Sequence, residues 1–144
     1  MHEQSFIAGA RKLKGTRWRH RGRKPWAVDC VGLIVLAARD AGFNLDDEPQ
    51  YGREPWEDQL RKGLRARFGD PVAEPWQPGD ITLIRWQRGE PSHVAIIGNH
   101  PDGGLTIIHA HNLHGVVECS LAGYYRDCVI EVYRPTWERI SRVD

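Results

Sequence analysis

The sequence has little with which to enter a membrane, build a metal cage or grip nucleic acid. No apolar run approaches the roughly 20 residues that a spanning helix needs, and the start (Met1, His2, Glu3, Gln4) lacks the charged-then-apolar pattern of a secretory signal. The chain is therefore expected to be soluble, without membrane insertion or an export address. Its 3 cysteines (Cys30, Cys119, Cys128) are odd in number and lack CxxC spacing, which argues against a disulfide framework and against a zinc site. No metal or other cofactor is expected. Cys119 and Cys128 are read as small buried thiols in neighbouring strands, with pairing to each other as the alternative. A charge of one sign is missing too. The 20 Lys+Arg nearly cancel the 19 Asp+Glu, leaving +1, so no whole-chain field draws the protein onto nucleic acid or a lipid surface.

What is present fits a single domain of 144 residues, long enough to bury a core without staples. The expected core is about 5–135, with a mobile or partner-bound tail at 136–144. From Arg11 to Lys24 the chain carries eight Lys or Arg and no acid. This stretch reads either as a solvated loop or as a surface for an anionic polymer. Six Trp are many for this length, and several stand beside Pro or Arg, as at groove rims and loop anchors or simply at core edges.

Apolar spacing predicts a short helix over Ser5 to Lys14, ended by Gly15, then a long loop over Gly15 to Trp26. Asp29 stands at the N-cap or first turn of a second helix, apolar nearly all round until Gly42. Trp56, Leu60, Leu64 and Phe68 recur every four residues in an amphipathic surface helix starting near Pro55. Beyond Gly79 the period becomes that of strands: Ile81 to Trp86, His93 to Gly98, Leu105 to His109, Val116 to Cys119 and Val129 to Tyr133. Helices first and strands after is the α+β pattern, with helices packed on one side of an antiparallel sheet of about five strands.

Three residues carry candidate chemistry. Cys30 lies at the head of the buried helix, where helix-end amides place partial positive charge beside the sulfur and are expected to lower its pKa. The bland alternative is a structural cysteine. His93 opens an apolar strand and suits proton transfer near pH 7. On the next strand, alternation places His109 with Ile107 on one face, and in a hairpin the start of one strand lies opposite the end of the next. His93 and His109 are therefore expected as neighbours, one as base and one as its orienting group.

Gly15-Thr16-Arg17-Trp18-Arg19-His20-Arg21-Gly22, Asp29-Cys30-Val31-Gly32-Leu33, Pro78-Gly79-Asp80, His93-Val94-Ala95-Ile96-Ile97-Gly98 and Ile108-His109-Ala110 together resemble the NlpC-type peptidase pattern in order and spacing. The resemblance implies a papain-like fold that cleaves the γ-D-glutamyl to diamino-acid bond of peptidoglycan stem peptides, with Cys30 as nucleophile, His93 as base and His109 as third member. His111 is the rival for that third place. The family usually carries Tyr where Trp18 stands, helping the oxyanion hole; Trp18 or His20 is expected to take that duty. The residue after the nucleophile is often Ser and is Val31 here, leaving Asp29 as the carboxylate available to a substrate amine. The Arg-His-Arg-Gly-Arg loop resembles versions of the fold in phage and prophage tails. That likeness implies a virion tail component acting in the host periplasm or cell wall, with other tail proteins as partners.

Two other functions fit the same residues. One is an amidase or acyltransferase on the same scaffold; the other is a structural tail module with weak or no activity, favoured by Trp18 and Val31. Nucleic-acid binding has only the basic stretch behind it.

Overall fold

The computed structural model describes residues 1–47, 57–86 and 92–143. Pro55 and Trp56, assigned above to the third helix, lie outside the described residues.

Helix α1 (His2–Lys12) buries Phe6, Ile7 and Ala10 and packs on α2 (Cys30–Asp40). The approach is close, since a Cβ on Gly9 would stand 2.8 Å from the Ala37 carbonyl oxygen. Burial of Leu33, Ile34, Val35, Ala37 and Ala38 bears out the reading of α2 as an internal helix; each large apolar side chain so covered stabilises the fold by about 1.5–3 kcal/mol. Helix α3 (Glu57–Phe68) lays Leu60 and Leu64 onto the same core.

Strands β4 (Ile81–Ile84), β5 (His93–Asn99), β6 (Leu105–His111), β7 (Gly115–Ser120) and β8 (Val129–Tyr133) form one antiparallel sheet in the order β7-β6-β5-β4-β8. Alternation divides its side chains. Ile81, Leu83, Val94, Ile96, Ile108 and Ala110 face the helices, while Ile84, Ala95, Ile97, Ile107 and Val132 face a second apolar layer that includes Cys128, at the end of the short helix α4 (Tyr124–Cys128). The α+β architecture is as the sequence implies.

Three expectations change. The stretch read as one long loop contains β1 (Arg17–Trp18), β2 (Arg23–Lys24) and β3 (Ala27–Val28), which form a small sheet in the order β1-β3-β2. Arg17 and Lys24 both pair with Ala27, so they share the outer face, and Trp18 and Arg23 flank Val28 on the inner one. Cys119 lies in β7 as expected, but Cys128 ends a helix rather than a strand, and both are free thiols. Residues 137–143 are not a loose tail. Trp137 is 1% exposed, between Phe6 and Phe43 at ring distances of 4.9 and 4.8 Å, and backbone bonds tie Ser141 and Val143 to Asn44 and Gly42.

Two motif residues serve the frame. Gly79 takes φ +95 in the turn before β4, a conformation that suits glycine. Asp80, 1% exposed, accepts from the Gln77 amide and from both arms of Arg134 at 2.9 Å, fastening that turn to the end of β8.

Candidate active site

Asp29 organises the head of α2. Its Oδ1 accepts from the Gly32 amide at 2.8 Å and from Arg23 Nη1 at 3.0 Å, and its Oδ2 accepts from the Arg21 amide at 2.9 Å. Arg21 is held at φ 58, a conformation that costs a non-glycine residue on the order of 1 kcal/mol and that the bond to Asp29 helps to offset. Asp29, expected as a carboxylate for a substrate amine, is only 4% exposed and serves the helix cap and the β1–β2 turn. The glycine of the Asp-Cys-Val-Gly motif has a steric reason, because a Cβ on Gly32 would lie 2.0 Å from the Gly22 carbonyl oxygen. The turn before β2 thus rests directly on the first turn of α2.

Strands β5 and β6 determine where the Cys30 sulfur goes. Their backbone pairing runs from Asn99↔Leu105 to Ile96↔Ile108 and stops there, although β5 extends back to His93 and β6 on to His111. The Ile97 amide bonds to Asp80 on the β4 side, so alternation turns the amides of Ile96 and Val94 toward β6. Past the last pair the two strands form a fork, and the Val94 amide is released from the ladder. Cys30 packs with Val94 in one apolar cluster, where the Val94 and Val31 amides lie close enough to the sulfur to favour its thiolate. The head of α2 therefore plugs the fork.

The opposite side of the fork carries the imidazoles. Extending the β5–β6 register would place His93 opposite His111, with His109 on the diagonal. The diagonal pair is the one that bonds: His93 Nε2 lies 3.1 Å from His109 Nδ1. His111 instead turns its Nδ1 to the amides of Leu113 and His114 at 3.0 and 3.2 Å and stacks on His114. Trp86 packs near His93 at 5.6 Å and His109 at 6.3 Å, and Tyr125 lies 5.8 Å from His109. Beyond His109, its Nε2 is 3.7 Å from the Cys119 sulfur. Nothing in the local sequence singles out Cys119, Trp86 or Tyr125 for this role; the signal is the β6–β7 register, which pairs Ile107 with Cys119 and puts His109 on the diagonal.

Electrostatics favour neutral groups at rest. Burial, and then the negative charge of Asp29, push the Cys30 thiol up to about 12. The expected lowering by the helix end is overridden, because the sulfur of a residue only 8% exposed loses more by leaving water than the first turn returns. Burial, and then His109 and His111, hold His93 well below the ordinary histidine range; burial and then His111 bring His109 down to about 4. Among the described residues no hydrogen bond joins the Cys30 sulfur to the His93 ring; the sulfur lies near the amide of Val94, the residue that follows His93 in the chain.

Of the expected oxyanion residues, Trp18 packs against the apolar cluster that contains Cys30, and His20 sits half-buried in the turn after β1. An apolar cavity of about 340 Å³ lies between α2, α3 and residues 45–47, with Val31 and Val94 in its wall. Among the described residues, no group of three or more His, Cys, Asp or Glu is placed to hold a metal ion.

The NlpC/P60 family pattern matches residues 15–134. No curated protein matches the chain. Among solved structures it is similar to a lipoprotein-like NLP/P60 family protein from Staphylococcus aureus, at 24% identity and TM-score 0.63, over 93% of this chain and 41% of that one. A NlpC/P60 family protein from Bacillus cereus is similar at 18% identity and TM-score 0.65, over 92% and 40%. The NlpC/p60 domain of the peptidoglycan hydrolase SagA is similar at 19% identity and TM-score 0.60, over 91% and 97%. The chain thus spans about two fifths of the first two and nearly all of the third, and at these identities the likeness is one of fold. With the family pattern covering all but the two ends and the same fold beneath it, the chain belongs to the NlpC/P60 family.

Proposed function

We propose that this domain is a cysteine peptidase that cuts an amide bond in bacterial peptidoglycan stem peptides by acyl transfer through Cys30, the bond being that between γ-D-glutamate and the diamino acid. The observation that carries this reading is the fork. A thiol from a helix head and a hydrogen-bonded histidine pair converge on the gap between two strands, in a chain of the NlpC/P60 family.

The chemistry follows from neutral partners. His93 Nε2 is engaged by His109, which leaves Nδ1 as the ring nitrogen for the thiol. As the sulfur attacks the peptide carbonyl, the thiol proton passes to His93 Nδ1, the C–N bond breaks, and that proton leaves with the amine. Water, activated by the same nitrogen, then hydrolyses the thioester. The oxyanion needs donors. In the first turn of α2 the Gly32 amide is taken by Asp29 and the Val31 amide faces the sulfur, so the Cys30 amide is the first-turn donor left for it, with Trp18 or His20 as the second. His109 orients the His93 ring.

The role in a phage or prophage tail, acting on the host cell wall beside other tail proteins, is supported by the resemblance of the Arg19-His20-Arg21-Gly22-Arg23 loop alone. A second reading, a tail module with weak or no activity, has an observation in its favour: Cys30 is deeply covered and makes no hydrogen bond to His93.

Purified protein incubated with peptidoglycan fragments separates the readings. New amines at the diamino acid, seen by mass spectrometry, are expected from the wild type and not from Cys30→Ala, with a loss of at least about 10³-fold. Equal product from both proteins, or none from either, rules out the peptidase.

A further inference from the structure

The bond between the two imidazoles can carry its proton in either direction, and only one direction serves the reaction. If His93 donates from Nε2, its Nδ1 keeps a lone pair and can take the thiol proton. If His109 donates from Nδ1, His93 carries its proton on Nδ1 and offers Cys30 nothing to accept with. Both rings are neutral near pH 7, so the choice is one of tautomer.

Among the described residues, one group around His109 is placed to make that choice. The residue is 1% exposed, with Trp86, Tyr125 and His111 rings 6.3, 5.8 and 6.2 Å away. Its Nδ1 faces His93, and its Nε2 faces the Cys119 sulfur at 3.7 Å. Cys119 comes from β7, the strand beyond β6, and the Tyr125 side chain from α4 lies near its sulfur. A continuous line of groups therefore runs Tyr125, Cys119, His109, His93 across three elements and ends at the fork.

We propose that Cys119 is a positioning residue: its sulfur accepts the Nε2 proton of His109, which makes His109 an acceptor toward His93 and leaves His93 with a free lone pair at Nδ1. The proposal rests on the peptidase reading above for its consequence, but its geometry stands without it. The thiol suits the position because it is a soft acceptor whose own proton can turn to the Tyr125 oxygen. An apolar side chain there would leave the buried Nε2–H without a partner and favour the opposite tautomer.

The test compares Cys119→Ala with Cys119→Ser in the full chain. Nitrogen-15 NMR of the histidine rings reads the tautomers directly, and stem-peptide cleavage reads kcat and KM. In Cys119→Ala, the Nδ1–H forms of His93 and His109 are expected to gain population. With them, kcat should fall about five- to tenfold, the worth of one modest buried hydrogen bond, at unchanged KM. Cys119→Ser, which keeps an acceptor, should restore both. Should the alanine variant not fold, Cys119→Val fills the volume without the acceptor and is read the same way. Wild-type tautomers in the alanine or valine variant overturn the proposal, whatever the activity. Shifted tautomers in a protein that cleaves no stem peptide sustain the positioning role and overturn the peptidase reading instead.

Discussion

Strands β5 and β6 meet in two different ways along their length. From Ile96 to Asn99 the backbone ladder is closed, and its far end is locked by side chains. Thr106 and both Arg11 and Lys14 converge on Glu118, and a Cβ on Gly98 would stand 2.6 Å from Thr106 Oγ1. From His93 to Ala95 the ladder is absent, and the strands are joined by the His93–His109 bond and the inserted head of α2. In the closed half Thr106, Arg11 and Lys14 commit their polar groups to Glu118. The open half leaves amide, thiol and imidazole facing a gap, where they can act on something else.

The largest expected break in that contrast is Gly32→Ala. Its Cβ would drive the Gly22 carbonyl, and with it the β1–β2 turn, away from α2, at a cost of about 4 kcal/mol or more. Loss of soluble folded protein is the expected outcome, and a thermal midpoint equal to wild type would show that the plug is not seated as described. Next come the imidazoles. His93→Ala is expected to lower kcat by about 10³-fold, and His109→Ala, which removes the orienting group and not the base, by about 10–100-fold. A reversed order in cleavage assays would move the base to β6.

Acid separates the two halves by pH. His109 has a folded pKa of about 4 against an ordinary 6.5, so the unfolded chain binds its proton first and stability falls from about pH 6.5 down to 4. The loss is on the order of 3 kcal/mol. On Glu118, burial pushes upward, but its bonds to Arg11, Thr106 and Lys14 outweigh that and hold it at about 2 against 4.5. Its stabilisation is therefore present above about pH 4.5 and disappears as pH falls toward 2. Thermal midpoints measured from pH 7 to 2 should fall less steeply in the upper window for His109→Gln, where buried His93 still contributes, and less steeply in the lower for Glu118→Gln, where Glu131 still contributes, and a single shared window would merge the halves. The smallest effect is Glu118→Gln at pH 7, expected to cost about 1–3 kcal/mol while leaving cleavage nearly unchanged.

The sequence shows most of the parts and little of how they meet. Cys30 at a helix head, His93 at a strand start and the His93–His109 neighbourhood follow from local pattern and strand alternation, because those are short-range geometry. The fork does not follow, since alternation assigns side chains to faces and says nothing of where a ladder ends. An N-cap and a substrate-binding carboxylate look alike in sequence; the Arg23 and Arg21 contacts that tie Asp29 to the cap come from the packing of β2 on α2. The thiol's upward shift is likewise tertiary, set by burial that a helix-end argument does not contain. Trp137 looks like part of a tail until Phe6 and Phe43, from distant parts of the chain, enclose it.

The central claim is that the fork places the Cys30 thiol under the control of His93. Alkylation of Cys30 by iodoacetamide from pH 5 to 9, followed on the Cys30 peptide by mass spectrometry in wild type and His93→Ala, tests it most directly. Wild type is expected to react about tenfold faster or more over part of that range. Identical rates in the two proteins at every pH would contradict it.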